Sequence, residues 1–107
     1  MKIVGITACV AGIAHTYIAK EKIEKAAIKL GDTVKIETQG SIGPENVLTD
    51  EEIRDADVVI LATDIEVDKS RFKGKKVVAI PISMVMKSPL GVIKKIHEKI
   101  NVPISAM

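Results

Sequence analysis

The chain has 107 residues, 47% hydrophobic and 28% charged, with 16 basic against 14 acidic side chains and a formal net charge of +2. That length fits one domain over residues 1–107, and the apolar content excludes disorder as a whole-chain description. No stretch approaches the ~20 apolar residues of a membrane span, and a balanced charge with Tyr17 and Phe72 as the only aromatic residues excludes a nucleic-acid platform.

The core is aliphatic, with 17 Ile and 12 Val against 4 Leu, which favours buried strands. Lys2 to Thr7 reads as a buried strand rather than a secretory leader, and a small-residue loop follows from Ala8 to Gly12. From Ile13 to Leu30 the pattern is helical, with Ala19, Ile23, Ala26 and Leu30 on one face and Glu21 poised to pair with Lys25. Gly31 marks the stop. Thr33 to Thr38 alternates at period two and predicts an edge strand with one wetter face. Gln39 to Pro44 is loop chemistry.

Thr49-Asp-Glu-Glu52 has capping-box spacing, so a short helix is predicted to Asp55. Asp57 to Ala62 is a continuous apolar run, the pattern of a central parallel strand. A polar loop with a helical turn spans Thr63 to Lys73. Lys76 to Ile80 is a fourth strand, stopped by Pro81. Pro89 opens a last helix through Ile100, with Ile93, Ile96 and Ile100 on one face.

This alternation predicts an α/β fold: a small four-stranded parallel sheet in the order 2-1-3-4, with helices on both faces in a flavodoxin-like, Rossmann-like three-layer sandwich. Ligands in such sheets bind beyond the carboxyl ends of the strands, beside strand one. Cys9 is placed there.

Cys9 is the only cysteine, which excludes an internal disulfide, a CxxC redox motif and a Cys-only zinc site. No metal site and no cofactor are predicted, and a reducing cytoplasm is the natural compartment. Cys9-Val10-Ala11-Gly12-Ile13-Ala14-His15-Thr16 joins a strand to a helix. Inward-facing N–H groups and the positive end of the helix both stabilise a phosphate and a thiolate there. Those effects lower the Cys9 pKa and activate it as a nucleophile. Gly12 admits a phosphate close to the backbone. Thiol phosphatases use Cys-x5-Arg before a hydroxyl residue, and here His15 stands in the Arg position, followed by Thr16. That weakens the clamp on a hydrolytic transition state. The loop suits holding and passing a phosphoryl group.

Cys9-x-x-Gly12-Ile13-Ala14-His15-Thr16-Tyr17 resembles the phosphocysteine loop of the fructose-type enzyme IIB of the bacterial sugar phosphotransferase system (PTS). The resemblance continues through Glu37-Thr38-Gln39-Gly40-Ser41, Ala56-Asp57-Val58-Val59, Asp64, Glu66-Val67-Asp68 and Ser70-Arg71-Phe72. It implies a cytoplasmic carrier whose Cys9 takes a phosphoryl group from a phosphohistidine of enzyme IIA. Cys9 then passes it to fructose or a related hexose held by membrane enzyme IIC. The subunit needs no metal, and a monomer is expected. The family has Pro after the cysteine, whereas this chain has Val10-Ala11, and Val10 keeps an N–H that can donate to phosphate.

Rival readings of the residues are a hydrolytic thiol phosphatase and a non-enzymatic regulatory or binding module with an inert cysteine. His15 either contacts the phosphoryl group or packs, and Thr16 either bonds it or satisfies a backbone group. Gln39, Gly40 and Ser41 either shape a partner surface or are turn residues. Asp64 is expected as a loop-edge or capping group, against the weaker alternative of a receiver-like switch phosphorylated there. Arg71 is expected to pair with Asp68 or Asp64, or to meet a partner. His97 is expected on the solvated face of its Lys-rich helix, Met84 and Met86 in packing, and Lys73 to Lys76 in a solvated turn.

Overall fold

The computed structural model describes residues 1–8, 13–40, 43–63, 67 and 70–100, with backbone alone at 13–15, 40 and 43. Among the described residues, five strands form one sheet: β1 (Lys2–Ala8), β2 (Thr33–Gly40), β3 (Gly43–Glu45), β4 (Val58–Thr63) and β5 (Val77–Ile80). Their order is β3-β2-β1-β4-β5. The four parallel strands therefore lie as the sequence predicts. The expectation of four strands, all parallel, is corrected by β3, which turns back antiparallel on the end of β2 and pairs Thr38 with Glu45 and Gly40 with Gly43. Gly-Pro-Glu has no apolar residue to signal a strand.

Helices cover both faces. On one, α1 (Ile13–Lys29), α3 (Ile82–Lys87) and α4 (Pro89–Ile100) pack with Ile3, Ile36, Val58 and Ile60 of the sheet. On the other, α2 (Asp50–Asp55) contributes Ile53, and a 3-10 turn (Ser70–Phe72) contributes Phe72, against Val4, Ile6, Val59 and Leu61. Gly5 lets the α1-side layer close: a Cβ there would stand 2.7 Å from the Ile60 carbonyl oxygen and 3.0 Å from Ile36 Cδ1.

The local chemistry fixes the ends of these elements. Gly31, at φ +83°, ends α1 with paired bonds from Gly31 N–H to the Ile28 carbonyl and from Asp32 N–H to the Ala27 carbonyl. Thr49 caps α2 through a full capping box with Glu52. Helix α3 was not expected, because Pro81 reads as a stop. Pro81 is instead the residue from which the helix starts, with φ −63°. Lys73 to Lys76 form the largely exposed turn predicted for them, and within it the Lys75 ammonium donates to the carbonyls of Arg54 and Ala56 at the end of α2. Met86 packs against the core, but Met84 is 53% exposed, contrary to its predicted packing role.

Candidate functional site

Cys9, Val10, Ala11 and Gly12 lie outside the described residues, as do Ser41, Asp64 and Asp68. The structure does fix the frame on either side of the cysteine loop. β1 ends at Ala8, in register with Gln39 of β2 and Thr63 of β4, so the three central strands finish level. Ile13, Ala14 and His15 form the first backbone turn of α1. The unpaired N–H groups of such a turn give that end of the helix its positive character. Thr16 follows, fully buried. Thr7 Oγ1 donates to the Thr16 carbonyl across 3.1 Å, a buried bond that joins the strand entering the loop to the helix leaving it.

On the opposite face of the sheet, at the same end, Glu37 is buried to 1% exposure beside Ile6. Arg71 grips it as a fork, Nη1 to Oε1 and Nη2 to Oε2, both at 2.9 Å. Gln39 Nε2 donates to Oε2 at 2.7 Å and the Leu48 N–H to Oε1 at 3.0 Å. Burial alone pushes the Glu37 carboxyl up. The bonds from Arg71, Gln39 and Leu48 outweigh it and hold the group below the usual carboxylate range. The Arg71 guanidinium also stands over the Phe72 ring, 5.3 Å from its centroid.

Arg71 thus reaches Glu37, a partner the sequence did not suggest, while the aspartates predicted for it, Asp64 and Asp68, lie outside the described residues. Gln39 and Gly40 are strand residues and not turn residues. Glu37 was missed as a site residue: the alternating pattern puts it on a wet face, and its partner is 34 positions away.

The rim of this end is partly apolar. Tyr17 and Ile18 of α1 are 36% and 40% exposed. The Tyr17 hydroxyl donates to Glu45 of β3, which raises the Tyr17 pKa through that bond, with burial and the carboxylate charge adding to it. A groove of about 360 Å³ lies elsewhere, along Lys2, Thr33, Lys35, Glu52 and Asp55 at the amino end of the strands. Its Lys35 is paired with Glu52 at 2.7 Å. Among the described residues, no set of three His, Cys, Asp or Glu side chains converges as metal ligands. Among the same residues, no helix is long and apolar enough to cross a membrane.

Comparison with known proteins places this frame in a family. Residues 4–95 match the family described as PTS system, Lactose/Cellobiose specific IIB subunit. The fructose-like EIIB component 2 of Escherichia coli is 49% identical over 97 residues, covering 90% of this chain and 92% of that protein. The chain is 59% identical over 75 residues, 70% of its length, to a fructose-specific EIIB'BC component of Xanthomonas campestris, but spans only 13% of that protein. It likewise covers 19% of a fructose-like EIIBC component of E. coli, 54% identical over 82% of this chain. Among solved structures, a domain of a fructose-specific IIABC component of Borrelia burgdorferi superposes with a TM-score of 0.86 at 50% identity, with 96% of each chain covered. A predicted fructose-specific IIB of E. coli superposes at 0.87 and 42% identity, covering 95% of this chain and 91% of that one. A mixed sheet whose parallel central strands end level before the cysteine loop, matched over most of its length in sequence and in shape, identifies the chain as a member of the PTS IIB family, a fructose-type EIIB component of the phosphotransferase system.

Proposed function

We propose that the chain is a cytoplasmic phosphoryl carrier that uses Cys9 as its nucleophile. The thiolate sulfur attacks the phosphorus of a phosphohistidine on enzyme IIA in line. The S–P bond forms as the N–P bond breaks, and the departing electron pair stays on the imidazole nitrogen. In the second step a hydroxyl oxygen of a hexose held by membrane enzyme IIC attacks the same phosphorus. The O–P bond forms, the S–P bond breaks and returns the thiolate, and the hydroxyl proton leaves to a base.

Backbone N–H groups from Val10 to His15, with Thr16 behind them, are assigned to hold the charge of the transferring group. The carrying observation is Cys9-x-x-Gly12-x-x-His15-Thr16, which follows β1 and runs into the first turns of α1, in a chain of this family. The buried Thr7–Thr16 bond supports it, because it ties the two ends of that loop together. Relatives named EIIBC and EIIABC combine EIIB with the two partner types invoked here. Fructose or a related hexose is the proposed sugar, on the printed names of the relatives. The chain acts as a monomer with neither metal nor cofactor.

Intact mass after incubation with phosphoenolpyruvate, the general phosphotransferase proteins and a fructose-type enzyme IIA tests this. One phosphoryl group on the wild type and none on Cys9→Ser is the expected result. Uptake that survives Cys9→Ser, or none with several enzyme IIA donors, overturns it. Steady release of inorganic phosphate would instead favour a thiol phosphatase.

A further inference from the structure

Building on the carrier reading, we infer that Glu37 is a positioning residue for the Cys9 loop, setting Gln39 and the turn carrying Arg71 around the carboxyl end of β1.

The four bonds to Glu37 give each of its oxygens two donors, and they come from three separate stretches of chain. Gln39 is on β2 itself, Leu48 is in the connection from β3 to α2, and Arg71 is in the 3-10 turn beyond β4. β2 and β4 flank β1 on either side. The cluster therefore couples chain on both sides of the strand that leads into the cysteine loop. The link to that loop is short. Gln39 pairs in register with Ala8, the residue before Cys9. Its amide nitrogen is committed to Glu37, so the orientation of the amide beside Ala8 is set by the carboxylate.

A buried carboxylate with a guanidinium partner is weak evidence for a stabilising role, since desolvation offsets much of the attraction. Its clear effect is geometric, because a bidentate fork fixes two planes relative to one another. Arg71 also cancels the charge of Glu37, so a phosphoryl group brought to this end of the sheet meets an ion pair rather than a bare carboxylate.

The test uses the full chain with Glu37→Gln, Arg71→Lys and Gln39→Ala. Single-turnover phosphoryl transfer from a phosphorylated fructose-type enzyme IIA is followed over a range of donor concentrations. Alkylation of Cys9 by iodoacetamide is followed against pH. Glu37→Gln is expected to lower the saturating transfer rate about tenfold or more, since small misplacements of reacting groups cost up to ~100-fold. The half-saturating donor concentration should move less than about twofold, and the alkylation profile should shift to higher pH. Arg71→Lys, which keeps the charge and loses the fork, should fall between that variant and wild type.

A folded Glu37→Gln with wild-type rate and alkylation profile overturns the inference, as does a change confined to the half-saturating concentration. If Glu37→Gln fails to fold, Gln39→Ala decides, and its wild-type behaviour in both assays is equally fatal. If the wild-type protein takes up no phosphoryl group, the carrier reading falls, and the alkylation profiles of the same variants still decide whether Glu37 sets the loop.

Discussion

His97 Nε2 and Asp32 Oδ2 lie 2.6 Å apart, both side chains buried, at the amino end of the sheet and remote from the cysteine loop. The predicted solvated position of His97 is therefore wrong. Its side chain continues the apolar stripe of Ile93 and Ile96 on α4 and meets a carboxylate that also takes the amino group of Met1 at 3.1 Å. Removing His97 takes away one buried partner of Asp32 and leaves the Met1 amino group beside the carboxylate. His97→Leu is expected to cost about 1–3 kcal/mol in urea unfolding. Asp32→Asn, which can still hydrogen-bond, should cost less.

Gly5 offers a second test of packing. The contact that an added methyl would make is with backbone, the carbonyl of Ile60, and cannot be relieved by a rotamer change. Gly5→Ala is expected to destabilise the fold by about 1–3 kcal/mol, as overpacked cores do. Thermal unfolding of the two proteins side by side gives the answer.

Thr7→Val keeps the shape of the side chain and removes its bond to Thr16. The loss should be about 1 kcal/mol of stability. Because the bond ties the two ends of the cysteine loop together, the rate of phosphoryl uptake should fall as well. A fall in stability with no change in uptake would confine Thr7 to a structural role.

Glu37 gives the acid limb of the stability profile. Its carboxyl is held low in the folded chain, despite its burial, by Arg71, Gln39 and Leu48. A folded-state pKa below the unfolded value of about 4.3 contributes stability that is complete above that value. The contribution disappears as pH falls through the lowered pKa. Urea midpoints between neutral pH and the acid range should drop more steeply for the wild type than for Glu37→Gln.

Much of the fold was legible because it rests on local patterns. β1 reads as a short buried strand, and β4 is a continuous apolar run. The face formed by Ala19, Ile23, Ala26 and Leu30 is buried as its spacing demands. The Thr49–Glu52 capping box and the Glu21–Lys25 pair at 2.9 Å are where short-range chemistry puts them. Features made by distant chain were not legible. Nothing near Arg71 points to Glu37, and nothing near Asp32 points to His97. The stripe of α4 did hold a sign, since position 97 lies four residues beyond Ile93, on the same face.

The candidate site divides in the same way. Cys9, Gly12, His15 and Thr16 stand out by spacing alone, because a phosphate loop is a contiguous piece of chain. The frame around them is assembled from three strand ends and a turn more than thirty residues away. Only the register of the folded sheet brings those together.

The small strand β3 also decides how this end of the molecule meets others. It closes the edge of β2 where the central strands finish, and it is three residues long with Pro44 at its middle. Proline has no N–H to offer a neighbouring chain, which disfavours extension of the sheet at that edge. The opposite border, β5, is only four residues long. Both edges thus offer little backbone for recognition by strand addition. On the proposed carrier reading, a visiting protein would meet side chains more than a strand edge, which suits an encounter that must dissolve after each transfer.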